Sequence, residues 1–281
     1  MTKKLQVLSV ALIVLFILLA FSTYKNSKAK NINPENSIFS YPFNYDGLLY
    51  EAGSLDESPS QYWWVNSGAL LRIENGVGET NIGPLAQNDK WRIMYRKDNP
   101  RDTDNGYYPQ NIFRLVSKGQ WESFSEQAYF QIVKNNLSQS ENRNESNGLL
   151  LFLRYMDENN LYYAGVRVDG EAVIKKKING KYYILGEVQI IPGDLYDRKN
   201  NPSLLPLNTW IGIKSEISDV SKDETRVKLY TDIGRTGNWT LALDVIDNSL
   251  GGKNLKGKGY TGIRTDFMDV KFDDFEVDPS I

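Results

Sequence analysis

Between Leu149 and Glu187 the chain carries four short apolar segments, Leu149–Met156, Leu161–Val168, Ala172–Ile178 and Lys181–Glu187, with Asp169-Gly170 and Asn179-Gly180 separating the last three. Leu, Val, Ile and Tyr suit a pleated backbone, and Asp-Gly and Asn-Gly are the dipeptides that accept positive φ in two-residue hairpin turns. These segments are therefore expected to form one antiparallel meander. The same style of short strand and turn continues elsewhere, with strands expected at Ala69–Glu74, Trp91–Arg96, Ile112–Ser117, Ala128–Lys134, Trp210–Ile217, Thr225–Thr231, Trp239–Val245, Tyr260–Thr265 and Met268–Val277. So many strands imply an all-β fold, a two-sheet antiparallel β-sandwich.

Side-chain alternation refines that picture. Val227 and Leu229 alternate with Arg226, Lys228 and Tyr230, as in a strand with one wet side, whereas Leu149–Met156 is apolar on both sides and is expected to be central. In the last strand Val270 and Phe272 share one face and Phe275 and Val277 the other, which predicts a β-bulge near Asp273-Asp274. Long polar loops at 98–108, 135–147, 192–207 and 247–258 hold most of the Gly, Pro and Asn. No repeat of fixed period is visible, which argues against a propeller or solenoid.

Composition removes several function classes. With 33 Lys+Arg against 35 Asp+Glu the formal charge is −2, so no global field draws the chain to nucleic acid. There is no cysteine and no histidine. That excludes disulfides, thiol nucleophiles, thiolate or imidazole metal sites and any Ser-His-Asp triad. Catalysis, if present, must use carboxylates, Tyr, Lys or Arg.

The N-terminus reads as a targeting segment. Lys3 and Lys4 precede the apolar run Leu5–Phe21, and Lys25, Lys28 and Lys30 follow it. Such a run, about 25 Å long as a helix, lies at the short limit for spanning a bilayer. Ala20/Ser22 and Ser27/Ala29 are mediocre cleavage sites, which favours an uncleaved anchor over a cleaved signal peptide. Residues 1–24 are thus expected to form a hydrophobic helix, 25–39 a polar linker and 40–281 an extracytoplasmic domain, tethered to a membrane or secreted.

The segments Asn160 to Tyr183 (NLYYAGVRVDGEAVIKKKINGKYY) and Gly259 to Val277 (GYTGIRTDFMDVKFDDFEV) resemble the concanavalin A-like lectin/glucanase superfamily, most nearly its laminin-G-like and sugar-hydrolase-associated jelly rolls. The likeness is one of style and order over about 120 residues. It implies a jelly roll whose middle strands run strand, DG turn, strand, NG turn, strand, and whose last strand closes the sheet beside the first. The implied functions are those of lectins, hydrolases, lyases and adhesive modules. The ExDxxE string of the superfamily's glucanases is absent; Glu122–Glu126 and Asp219–Glu224 are the nearest acidic clusters, and neither alternates as a strand requires. Gln131-Ile132-Val133 and Tyr162-Tyr163-Ala164-Gly165 faintly resemble two lyase motifs, the first without the histidine such motifs place third.

A carbohydrate site combines aromatic faces, which stack on sugar C–H groups, with forked polar side chains that bind hydroxyl pairs. Arg154, Tyr163 and Arg167 lie on neighbouring expected strands, with Tyr163 and Arg167 on one face; structural ion pairing of the arginines is the competing reading. In Trp63-Trp64 one ring is expected in the core and the other, Trp64, at a ligand. Trp91, Trp121, Trp210 and Trp239 each open an expected strand, where core closure is the commoner role. The lysines Lys175–Lys177 read as a solvated edge in preference to an anion site. Calcium is the plausible ion: Asp98, Asp102 and Asp104 with Asn99 and Asn105 supply oxygen, and Asp266, Asp269, Asp273 and Asp274 form a second group, though a plain polar loop competes and the EF-hand template fails. The expected function is an exported or membrane-tethered, carbohydrate-binding module without a recognisable catalytic centre. The alternatives are a glycan-active enzyme, either glycoside hydrolase or polysaccharide lyase, and an envelope scaffold that binds protein.

Overall fold

The computed structural model describes residues 37–280, and the N-terminal hydrophobic helix and most of the linker expected from sequence lie outside them. In chain order the strands are β1 (Phe39–Tyr41), β2 (Gly47–Tyr50), β3 (Trp63–Ser67), β4 (Leu70–Glu74), β5 (Val77–Glu79), β6 (Ile112–Trp121) and β7 (Phe124–Asn135). There follow β8 (Gly148–Asp157), β9 (Asn160–Arg167), β10 (Glu171–Ile178), β11 (Lys181–Gln189) and β12 (Trp210–Ser221). The last four are β13 (Glu224–Ile233), β14 (Thr240–Asp247), β15 (Gly259–Asp266) and β16 (Met268–Asp278). Among the described residues one helix, α1 (Lys90–Asp98), and a 3-10 turn at Pro109–Asn111 interrupt them.

All the strand pairs are antiparallel. They make a nine-stranded sheet in the order β14-β13-β12-β7-β16-β5-β4-β2, with β1 also on β16, and a seven-stranded sheet in the order β11-β10-β9-β8-β15-β6-β3. The two sheets share one core: Phe124, Ala128 and Phe130 of β7 and Val270 and Phe272 of β16 meet Leu151 and Leu153 of β8, Tyr162 and Ala164 of β9, and Ile263 of β15. The chain is a two-layer antiparallel sandwich, and its last strand does lie beside its first.

The central meander forms β8 to β11 in consecutive neighbours, as its turns require. Ile178 pairs with Lys181, which leaves Asn179 and Gly180 as a two-residue turn with φ of 50° and 80°. The other reversal is longer than expected. Ala172 pairs with Val166, and Gly170 (φ 82°) donates its N–H to the Arg167 carbonyl at 3.0 Å, so Val168, Asp169 and Gly170 form a three-residue loop. The expected bulge in β16 is present: Asp274 has φ 49° and the register with β7 shifts between Asp273 and Glu276. β8 sits mid-sheet and is buried on both faces up to Tyr155.

One expected strand is a helix. Trp91–Arg96 lies within α1 because the Asp89 carboxylate accepts from the N–H groups of Trp91 and Arg92 at 2.7 and 3.4 Å, an N-cap that starts a helix, and Arg96 and Lys97 in the last turn suit its negative end. Trp91 therefore opens no strand, and Trp121 closes β6 instead of opening it. The lysine segment also departs from expectation: β10 is flanked by β9 and β11, so it is no edge.

Candidate functional site

The register of the seven-stranded sheet sorts its side chains into two sets. Tyr162, Ala164 and Val166 face the nine-stranded sheet, so Leu161, Tyr163 and Arg167 face outward. Tyr163 stands opposite Phe152 on β8 and Lys175 on β10; Lys177 stands opposite Tyr182 on β11; Arg264 of β15 stands between Leu150 of β8 and Arg114 of β6; Trp64 of β3 stands opposite Val116. This outer face has an apolar floor of its own, made of Val116, Leu150, Phe152, Tyr155, Leu161, Tyr163 and Val173, with Trp64 and Tyr260 packed at its rim.

Above that floor the polar groups converge on Arg264. Its Nη1 donates to the Tyr163 hydroxyl at 3.2 Å and the Tyr182 hydroxyl at 3.3 Å, and its Nε lies 2.9 Å from the Asp266 carboxylate. The guanidinium also lies over the Tyr163 ring, 5.3 Å from its centroid. Lys175 is 8% exposed, and its ammonium has neither an ion-pair partner nor a hydrogen-bond acceptor among the described residues; Tyr182, 47% exposed, has the Lys175 and Lys177 ammoniums 5.8 and 5.0 Å from its ring centroid.

This crowding moves two ionisations towards neutrality. Burial, and then the neighbouring Arg264, draw the Lys175 ammonium down to about 8, with Asp266 opposing. Burial pushes the Tyr182 phenol up, but the positive charges of Arg264 and Lys177 overcome it and bring it down to about 8. Burial holds the Tyr163 phenol above its ordinary range despite Arg264.

The residues expected at a site from sequence separate into two groups. Tyr163, Arg167 and Trp64 do face the same side, whereas Arg154 does not join them. Arg154 takes φ 49° where the β8 register with β9 breaks, and its guanidinium turns to the other sheet. There it is fully buried, donating to the Asp219 carboxylate at 2.7 Å and to the carbonyls of Glu122 and Leu255. Arg167 is on the outer face but spent: it pairs with Asp169, with Glu171 at 3.0 Å and with Glu187 at 2.9 Å. Trp63 is in the core at 1% exposure, and Trp64, half-buried, donates its indole N–H to the Ala52 carbonyl at 2.8 Å.

Sequence reasoning missed Arg264, Arg114, Lys175 and Tyr182. The signal was there in part, because the Asn179-Gly180 turn alone sets Lys177 opposite Tyr182 and places Lys175 on their face. Lys176, between them, points inward and pairs with the buried Asp247 at 2.7 Å.

Of the acidic groups considered for calcium, Asp102, Asp104, Asp266, Asp269, Asp273 and Asp274 are engaged with protein. Asp102 accepts from Ser140, Asn142 and Asn99, Asp104 from Ser138 and Asn111, and Asp269 from Gln110, Asn136 and the Gly83 N–H. Asp273 and Asp274 share Arg235 at 2.7 and 2.6 Å. Among the described residues no three acidic groups stand together as a metal site.

No family model and no curated protein matches the chain. Solved structures do. A carbohydrate-binding module CBM66 from Bacillus subtilis is 14% identical, with 76% of this chain and 94% of that one covered and a TM-score of 0.46. The GH43 protein BlXynB from Bacillus licheniformis is 11% identical over 85% of this chain at a TM-score of 0.46, and the match spans 38% of that longer chain. A beta-1,3-1,4-glucanase (lichenase) derived from a mouse hindgut metagenome is 10% identical, with 86% and 99% covered and a TM-score of 0.43.

Proposed function

We propose that this protein is an exported or membrane-tethered glycan-binding module whose ligand lies on the outer face of the seven-stranded sheet. The observation that carries the reading is the gathering, on one face, of the accessible rings of Trp64, Tyr260 and Tyr182 around the donor fork of Arg264, over a floor that includes the buried Tyr163. Rings supply stacking surface for sugar C–H faces, and a guanidinium supplies parallel N–H donors for sugar oxygens. The export pattern at Lys3–Phe21 supports the compartment. Affinity electrophoresis through gels cast with a panel of polysaccharides tests the reading. At least one polymer retards the wild-type chain, and Tyr182→Ala weakens that retardation about tenfold, the equivalent of about 1.4 kcal/mol. Retardation by no polymer sinks it.

A second reading, a lyase, is favoured by Lys175 and Tyr182, which both titrate near 8 beside Arg264. Hydrolysis would need two free carboxyl groups, but on this face Asp266 is held by Arg264, and Asp169, Glu171 and Glu187 are held by Arg167. Elimination needs none. The Lys175 amine takes the proton next to a uronate carboxylate, that C–H pair becomes the new C=C bond as the C–O bond to the departing sugar breaks, and the Tyr182 hydroxyl protonates the leaving oxygen. The readout is ultraviolet absorbance of the conjugated product, lost in Tyr182→Phe and Lys175→Met. Binding with no absorbance change leaves only the first reading.

A further inference from the structure

The outer face is electrically divided, and the division names a ligand class. At the β9–β10 loop Arg167 is surrounded by Asp169, Glu171 and Glu187, so that end is acidic. Around Arg264 the balance reverses, because Arg114, Lys175 and Lys177 lie on the same face with Asp266 as the carboxylate, itself bound by Arg264. Neither Arg114 nor Lys175 has an ion-pair partner among the described residues. Lys175 is the telling residue: its stem is buried in the sheet while its ammonium has no acceptor, although a carboxylate partner is the usual companion of a lysine so placed. Where the chain needs such a partner it supplies one, as Asp247 does for Lys176 on the opposite face.

We infer that this excess of positive charge is completed by the ligand, and that the glycan bound on the outer face carries anionic sugars whose acid group sits among Lys175, Arg264 and Arg114. This rests on the glycan reading above and adds the chemical class. An anion there would offset part of the positive excess left by Arg264, Arg114, Lys175 and Lys177 over Asp266, while Tyr182 and Trp64 offer rings to the sugar itself.

A pH dependence follows from the groups that face Lys175. Its neighbours are Tyr163 and Arg167 on β9, Arg264 and Asp266 on β15, Lys177 on its own strand and Tyr182 on β11. Of these, Lys175 and Tyr182 change charge near 8, and both changes run the same way: the lysine loses a positive charge and the tyrosine gains a negative one as pH rises. Affinity for an anionic sugar is therefore highest below that range and falls through it, whereas affinity for a neutral sugar has no such reason to fall.

The test uses the full chain and three probes: polygalacturonate, the same polymer with its carboxyl groups reduced to alcohols, and dextran sulfate. The expected result is retention by polygalacturonate or by dextran sulfate, the two arms separating carboxylate from sulfate, with at least a roughly tenfold loss on the carboxyl-reduced polymer. The loss should be matched by Lys175→Met, by Arg264→Gln and by raising the wild type from about pH 7 to about pH 9. Lys222→Gln, an exposed lysine in the β12–β13 turn, should bind as wild type and so separates the site from general attraction to cations. Because Arg264 is largely buried, a thermal melt accompanies that variant, and Lys175→Met reads the same charge if Arg264→Gln fails to fold. Equal binding to the acidic and reduced polymers, or binding to a neutral glycan alone, overturns this inference and leaves the glycan reading standing. Binding to no polysaccharide overturns both.

Discussion

Glu126 and Lys175 are both ionisable residues in mid-strand positions where an apolar side chain would be ordinary, and the structure treats them differently. Lys175 faces outward. Glu126 shares the phase of Phe124, Ala128 and Phe130 on β7 and points between the sheets, where both carboxyl oxygens lack a hydrogen-bond partner of good geometry. Burial pushes its carboxyl well above the ordinary glutamate range, and the nearby Gly262 N–H and Thr261 hydroxyl pull it only part of the way back. A carboxyl whose folded-state pKa is raised contributes its full stability below its unfolded value and loses it as pH climbs through the folded value. Glu126→Gln is therefore expected to match the wild type near about pH 4 and to exceed it by about 1–3 kcal/mol near about pH 8, read from urea midpoints at both pH values. A gain that shrinks with rising pH would refute the assignment. Sequence pointed to Glu122–Glu126 as an acidic cluster and not to a core position, because three flanking strand residues cannot reveal which sheet lies above them. For the same reason Arg154 was expected beside Tyr163: simple alternation does not foresee a residue at φ 49° that turns its side chain to the opposite face.

Among the elements, the β10–β11 hairpin matters most to the site, since it brings Lys175, Lys177 and Tyr182 to one face. Its turn was legible from Asn179-Gly180 alone, as were the bulge at Asp273-Asp274 and the strands β4 and β6 to β16, because each of these is written in local chemistry, whereas the short β1, β2, β3 and β5 were not among the expected strands. What was missed had two causes: the helix α1 hides in a strand-like string whose local cap, Asp89, was not read as one, and the lysines of β10 look like an edge until β11 is seen to pair along them. Gly180 has φ 80°, a conformation that costs a side-chain-bearing residue about 1–2 kcal/mol. Gly180→Val should cost at least that much in chemical denaturation. It should also weaken polymer retention while Tyr182 and Lys175 remain chemically intact, since the turn sets their register. Unchanged retention with the stability lost would mean that the hairpin does not position the site.

For the molecule as a unit, the two sheets are held by more than shared apolar surface. Lys176 of the seven-stranded sheet reaches Asp247 of the nine-stranded sheet at 2.7 Å, both side chains fully buried, and the Tyr162 hydroxyl donates to the same carboxylate at 2.7 Å. Removing one member leaves the other charge stranded, so Lys176→Met is expected to cost about 3–5 kcal/mol, while Lys176→Met with Asp247→Leu costs less than Lys176→Met alone. A double-mutant cycle followed by denaturant unfolding checks both, and additive losses would show that the pair is not coupled. The attachment of β1 has a mechanical side. Among the described residues three backbone partners, Phe39 with Val277, Ser40 with Glu276 and Tyr41 with Phe275, fasten the leading strand to the closing one. Tension applied upstream of Phe39 would enter through this short seam, whose Phe39 and Tyr41 rings pack on Trp63 of the core. Pulling on that end would therefore load these three pairs and the Phe39 and Tyr41 rings before any other strand pair of the sandwich.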